Sequence, residues 1–199
     1  MINLIAICIG YLLGSIPFAL VIGKVFYKTD IRSFGSGNLG GTNAGRVLGK
    51  KIGFLVILLD ILKVIIPVAI ISYFDSSASI WAGLAAAFGH CYPIFANFKG
   101  GKAVATMFGF LLATSFFTFH NIFYILIPFI VFIITLKLFK MVSLSSIIAA
   151  IASTMLIILM GSDPSFCLAS SFLSILVIYR HRSNIKKIRL GTENKITWL

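Results

Sequence analysis

The chain has 199 residues, a mean hydropathy of +1.07 and 17 basic against 5 acidic residues, a formal net charge of +12. With 59% hydrophobic and 11% charged residues, it is excluded from the soluble globular class and placed in the bilayer as a single all-α domain spanning residues 1–199. A soluble protein of this charge would suggest nucleic acid; here the positive-inside rule accounts for it, and no nucleic-acid partner is expected.

Residues 2–23 supply a first apolar run free of charge. No basic n-region or small-residue cleavage site accompanies it, so it is expected to remain as a span rather than leave as a signal peptide. Lys24, Lys28, Arg32, Arg46, Lys50 and Lys51 then fall together. Residues 52–73 form the next run, interrupted by Asp60 and Lys63, and Asp75 marks a turn. Residues 76–98 carry no Asp, Glu, Lys or Arg, and Lys99 and Lys102 follow. Residues 103–136 would make a helix of about 51 Å against a hydrocarbon core of about 30 Å, so a reversal is predicted at His120-Asn121. Residues 141–179 are also too long for one span and turn at Gly161-Ser162-Asp163-Pro164. Placing every Lys/Arg cluster on the cytoplasmic side gives seven transmembrane helices, N-terminus outside and C-terminus cytoplasmic, with residues 184–199 as a basic cytoplasmic tail. In that tail Ile185, Ile188, Trp198 and Leu199 interleave with lysines, as in a segment lying on anionic lipid.

The first basic loop holds the stretch Gly35-Ser36-Gly37-Asn38-Leu39-Gly40-Gly41-Thr42-Asn43-Ala44-Gly45-Arg46. Glycines allow backbone N–H groups to approach an anion, and Thr42 or Asn43 is expected to N-cap a short helix beside it. The stretch reads as a phosphate-holding loop. A second reading is open: Gly37, Gly41, Gly45 and Gly49, spaced by four, would form a helix-packing face. A dinucleotide fingerprint fails for want of a preceding strand. A P-loop fails because Ala44 and Ala96 replace its first glycine.

Asp60 and Lys63 share one helical face within a span, either as a functional pair whose lysine reaches the phosphate or as a self-neutralising pair. The stretch from His90 to Lys102 includes Pro93 and ends in a flexible cationic turn, Lys99-Gly100-Gly101-Lys102; a simple basic anchor is the alternative. His90 reads as a packing hydrogen bonder before a base. A His-x-x-x-x-Asp acyltransferase pattern is absent, since Phe95 follows His90 and Ile125 follows His120 at that spacing. Cys8, Cys91 and Cys167 are scattered, so no metal site, cofactor or disulfide framework is expected. His181 and Asn184 lie three apart after the last run, where a histidine can donate to phosphate or move a proton and an asparagine can fix a hydroxyl. The inventory Ser36, Asn38, Thr42, Asn43, Arg46, Lys63, Lys99, Lys102, His181 and Asn184 is rich in donors and nearly devoid of carboxylates, suited to a phosphate and to developing oxyanion charge. A carrier for phosphorylated metabolites or a lipid-binding scaffold would carry some of the same features.

These segments carry a family likeness. Tyr11-Leu12-Leu13-Gly14-Ser15-Ile16-Pro17, Gly35-Ser36-Gly37-Asn38 with Thr42-Asn43, Asp60-x-x-Lys63, His90-x-x-Pro93 with Phe98-Lys99-Gly100-Gly101-Lys102, Val142-Ser143-Leu144 and Tyr179-Arg180-His181-Arg182-x-Asn184 resemble the bacterial acyl-phosphate:glycerol-3-phosphate acyltransferases. Val64, Ala103 and Gly41 depart from that pattern, which usually has glycine, glycine and alanine there. The resemblance implies a seven-span enzyme of the cell membrane, active on the cytoplasmic side. It would acylate the first hydroxyl of glycerol 3-phosphate from acyl phosphate, giving lysophosphatidic acid, without a covalent intermediate. Its partners would be those two substrates and membrane lipids; no protein partner is read. The resemblance implies substrate and phosphate contacts at Ser36, Arg46, Lys63, Lys102, His181 and Asn184. Ser36, Arg46, Lys102 and His181 are expected to be catalytic, and Gly35, Gly37, Asn38, Thr42, Asn43, Lys63, Lys99, Gly100, Gly101 and Asn184 to bind substrate.

Overall fold

A computed structural model describes residues 1–196, and these are all-helical. Helices α1 (Ile2–Gly14) and α2 (Phe18–Tyr27) divide what the hydropathy presents as one run. Pro17 lacks an N–H and disfavours helix at Ile16, so the chain breaks there and restarts with Pro17 as N-cap. Lys28, at φ 53°, stops α2.

Helix α3 (Gly41–Leu48) is N-capped by Gly40, not by Thr42 or Asn43, which lie inside its first turn. It crosses the start of α4 (Lys50–Ser72), where a Cβ on Gly53 would overlap the Gly41 and Gly45 backbone. The glycine stretch thus divides into a loop and a helix-packing face, the latter made by Gly41 and Gly45 alone of the four glycines spaced by four. Gly35 and Gly37 take left-handed φ values of 60° and 66° in the loop, whereas Gly41 and Gly45 form a packing seam.

Along α4, Phe54, Leu58, Leu62, Ile66 and Ile70 are exposed at a spacing of four, while Val56, Asp60, Val64 and Val68 are buried. A helix apolar on its outer stripe and partly polar on its inner one has lipid as its solvent. Helix α5 (Ser76–Cys91) begins on the Asp75 carboxylate, which accepts the Ala78 N–H at 2.8 Å, and ends before Pro93. Gly10 and Gly14 of α1 sit so close to Ala82 and Ala86 of α5 that a Cβ on either would strike backbone.

Helix α6 (Val104–Ala113) runs into a π-turn, Thr114–Thr118, and the chain reverses through His120 at φ 50°, where the length argument required it. Helices α7 (Phe123–Phe139), α8 (Val142–Leu159) and α9 (Pro164–Arg180) follow, with the Asp163 carboxylate capping α9. The core joins Val64, Val68, Met107, Phe110, Ile157, Phe166 and Val177. Where α8 meets α9, the Thr154 hydroxyl lies 2.8 Å from that of Ser170 and 2.7 Å from that of Ser174, and Ser174 donates to the Ala150 carbonyl at 2.6 Å. Hydroxyls satisfied this way are tolerated in an apolar medium.

Residues 2–27, 50–72 and 142–159 are long and apolar enough to cross a membrane; 104–118, 123–139 and 164–180 are apolar but shorter. After α10 (Arg182–Arg189) the chain does not trail away as a solvated tail. It folds back onto the start of α8, where the Ile196 N–H donates to the Lys140 carbonyl at 2.8 Å and the Ser143 hydroxyl donates to Glu193 at 2.7 Å. Trp198 and Leu199, read as lipid-facing, lie outside the described residues.

Candidate active site

The basic segments of the sequence meet at one end of the bundle. An open cleft of about 430 Å³ is lined by Gly35, Ser36 and Arg46 from the first loop and by Lys187, Asn194 and Lys195 from the chain's last described segment. Ser36 and Arg46 are exposed to it.

The glycine loop owes its shape to two asparagines. Asn43 is buried; its Oδ1 accepts the Ser36 N–H at 2.8 Å, and its Nδ2 donates to the Ile31 and Phe34 carbonyls at 3.2 Å each. Asn38 Oδ1 accepts the Gly40 N–H at 2.9 Å. The Asn43 side chain, expected as a phosphate ligand, is committed to backbone and presents Ser36 instead, while Asn38, also expected as one, spends its Oδ1 within the loop. Upstream, the Asp30 carboxylate accepts from the Arg32 side chain three times, from Nε at 2.9 and 3.2 Å and from Nη2 at 2.6 Å, and the guanidinium holds its carboxyl well below the usual carboxylate range. Thr42 is exposed in the first turn of α3.

The second loop is fixed rather than flexible. The Gly100 N–H donates to the Cys91 carbonyl at 3.2 Å and the Gly101 N–H to the His90 carbonyl at 2.9 Å. From the other side Arg180 donates Nε to the Gly101 carbonyl and Nη2 to the Gly100 carbonyl, each at 2.9 Å, and its guanidinium lies 5.2 Å from the Tyr92 ring centroid. The expected mobility of a Gly-Gly pair is cancelled by an arginine about eighty residues away in sequence, a contact no local pattern contains. The two glycine N–H groups are therefore spent on carbonyls and do not form an anion nest.

Lys102 leaves this loop toward α10, its Nζ donating to Asn184 Oδ1 at 2.5 Å. Asn184 Nδ2 in turn donates to Glu193 Oε1 at 2.7 Å. Burial holds the Lys102 ammonium below the ordinary lysine range, against the Glu193 carboxylate; Arg180, Lys187 and Arg46 push the same way as burial, which places all four cations in one field. Lys99 is exposed and Lys102 is the lysine that turns inward. Ala103 follows at φ 60°, a left-handed conformation that its methyl group disfavours.

His181 is 3% exposed at the α9–α10 junction. Its Nδ1 lies 2.8 Å from the Val177 carbonyl, which only accepts, so Nδ1 carries the proton and Nε2 is the acceptor. Burial lowers the ring to about 4, so it is neutral near pH 7.

Lys63 does not reach the cleft. Its ammonium meets Asp60 Oδ1 at 2.7 Å and His90 Nδ1 at 3.0 Å, and donates to the Ile16 carbonyl at 3.0 Å, all within the bundle. The sequence reading missed Lys187, Asn194 and Lys195 on the cleft wall, Arg180 behind the glycine pair, and Glu193. Glu193 looked like one acid in a basic tail, and only the fold-back reveals it against Ser143 and Asn184.

Bundle and cleft together define a polytopic membrane protein with a strongly cationic site at one helical end. The chain belongs to the glycerol-3-phosphate acyltransferase family, whose pattern it matches over residues 4–191. It is 45% identical over 203 residues to the glycerol-3-phosphate acyltransferase of Listeria monocytogenes serotype 4a (strain HCC23), covering 100% of this chain and 99% of that one. It is 46% identical over 198 residues to glycerol-3-phosphate acyltransferase 2 of Bacillus anthracis, covering 98% and 99%. Among solved structures it resembles PlsY (YgiH), an integral membrane glycerol 3-phosphate acyltransferase, in its glycerol 3-phosphate form. The TM-score is 0.90 and the identity 39%, with 98% of this chain and 96% of that one covered. The lysophosphatidic acid form of PlsY gives a TM-score of 0.87 at 38% identity, with 98% and 95% covered. The protein is a multi-pass membrane acyltransferase of phospholipid biosynthesis.

Proposed function

We propose that this acyltransferase takes its acyl group from acyl phosphate and transfers it directly to the first hydroxyl of glycerol 3-phosphate. The hydroxyl oxygen attacks the carbonyl carbon of the mixed anhydride. The bond from that carbon to the phosphate oxygen breaks, inorganic phosphate leaves, and the hydroxyl proton passes to a phosphate oxygen. Lysophosphatidic acid is the product, and the step is the first acylation of phospholipid synthesis. The observation that carries the reading is the convergence of Ser36 and Arg46 with Lys187 in one cleft, in the same field as Lys102. Such an array grips a dianionic phosphate and stabilises the tetrahedral oxyanion.

An acyl phosphate has a good leaving group, so positioning and charge stabilisation suffice without a nucleophile on the enzyme. Among the described residues Ser36 Oγ makes no hydrogen bond to a histidine, which supports direct transfer over an acyl-serine. In this reading Ser36, Arg46, Lys102 and Asn184 contact substrate, and neutral His181 offers Nε2 to the reacting hydroxyl. Gly35, Gly37, Asn38, Asn43, Gly100 and Gly101 frame the site, with Thr42 at its rim. The cleft belongs to the cytoplasmic face of a seven-span protein of the cell membrane with its N-terminus outside.

The test is lysophosphatidate formation by detergent-purified protein from glycerol 3-phosphate, with palmitoyl phosphate or palmitoyl-CoA as donor. Turnover is expected with the phosphate alone. Arg46→Ala and Lys102→Ala are each expected to lower kcat/KM by about 100-fold or more, about 3 kcal/mol of transition-state stabilisation. Full activity in both variants overturns the site, and equal turnover of palmitoyl-CoA overturns the donor.

A further inference from the structure

The buried Asp60, Lys63 and His90 do not line the cleft, yet His90 touches the Gly100-Gly101 loop that carries Lys102. They are 1%, 4% and 5% exposed. Besides the contacts above, His90 Nδ1 lies 3.5 Å from Asp60 Oδ1. An ammonium only donates, so His90 Nδ1 accepts from Lys63 and the ring carries its proton on Nε2. That edge of the ring abuts Gly101: a Cβ on Gly101 would overlap His90 Nε2, and one on Gly100 would strike the His90 carbonyl. The same residue therefore supports Gly101 twice, by its ring and by its main-chain carbonyl.

Inside a membrane domain, a buried ion pair stabilises little compared with apolar side chains of equal size. Its position is more informative than its energy. Asp60 holds the Lys63 ammonium, Lys63 donates to the ring, the ring and carbonyl support Gly101, and Arg180 closes the clamp from α9. Lys102 is the next residue, and its ammonium meets Asn184.

We propose that Asp60, Lys63 and His90 form a positioning unit that sets the height of the Gly100-Gly101 loop and so the reach of the Lys102 ammonium toward the cleft. This rests on the acylation reading for its kinetic arm and on geometry alone for its second. A shift of about 1 Å at a substrate-holding group costs on the order of 100-fold in rate, so a support outside the site can govern it.

Asp60→Asn, which keeps size and removes the charge, is expected to raise KM for glycerol 3-phosphate about tenfold while changing KM for palmitoyl phosphate less than about twofold. Gly101→Ala, which pushes the loop off the ring, gives the same split, and the double variant is no worse than either alone because both break one support. Asp60→Leu with Lys63→Met, an apolar pair of similar bulk, restores folding if Asp60→Asn does not fold, and shows the same split. The second arm needs no activity. Lys102→Cys and Asn184→Cys, with Cys8, Cys91 and Cys167 replaced by alanine, are too far apart for a direct disulfide because the contact runs through the length of the lysine, but a short bis-alkylating thiol reagent cross-links them at a rate that Asp60→Asn lowers about tenfold.

Additive losses, an unchanged split or unchanged cross-linking overturn the proposal. Failure of both charge variants to fold assigns the cluster to stability and overturns it too. Wild-type protein that transfers no acyl group defeats the acylation reading, and the cross-linking rate then decides the positioning role by itself.

Discussion

His181 and Glu193 are single side chains with separable consequences. The His181 ring is held at about 4 in the folded protein against 6.5 when free, chiefly by burial. Above pH 6.5 both states are neutral and the residue adds nothing to pH dependence. As pH falls from 6.5 to 4, the unfolded chain takes up a proton that the folded one refuses, and stability declines. Thermal midpoints recorded across that range should fall in the wild type and fall less in His181→Asn, with no difference between the two slopes above about pH 7. Glu193 Oε1 accepts from Ser143 and from Asn184 at 2.7 Å each. Glu193→Ala removes two charge-assisted hydrogen bonds. It is expected to destabilise the protein by about 2 kcal/mol and to free Asn184 from its orientation beside Lys102, visible as a lowered melting temperature together with a lowered kcat.

Helices settle questions that residues alone leave open. Val64, where the family pattern has glycine, is fully buried, and it faces Gly109 across the α4–α6 contact. A Cβ on Gly109 would come within 2.9 Å of the Ile61 carbonyl oxygen and 3.3 Å of Val64 Cβ. The larger residue on one helix is accommodated by the smaller one opposite. Gly109→Ala should therefore cost about 1–3 kcal/mol in a thermal-unfolding assay. The reversals at His120 and at Gly161 to Asp163 were readable because no single helix of those lengths fits a bilayer. The break at Ser15 to Pro17 leaves no trace in hydropathy, which does not register a missing N–H. The same limit governs the site. Glycines, lysines and the His181–Asn184 spacing are local and could be read. The commitments of Asn43 to Ile31 and Phe34, of Arg180 to the glycine pair and of Lys63 to Asp60 depend on partners brought by tertiary packing.

The whole molecule is polarised from end to end. Lys102 and Asn184, Arg180 and the glycine pair, and Lys140 and Ile196 meet at one pole. Ser79 with Thr118 and Tyr124 with Ser162 tie the other. With the cationic pole facing the cytoplasm, Gly161→Cys in intact cells should react with an impermeant thiol reagent, while Lys99→Cys should react only after the membrane is opened. The opposite labelling pattern would invert the assigned orientation.

The fold-back of the last described segment also bears on biosynthesis. One wall of the cleft is translated early, with Ser36 and Arg46, and the other arrives only with Lys187 to Lys195. A nascent chain can insert most of its helices while half of its binding surface is still inside the ribosome. Stop codons ahead of Lys187 would therefore be expected to leave membrane-embedded but inert polypeptide, and competence should appear abruptly once the segment through Lys195 has emerged rather than grow with length.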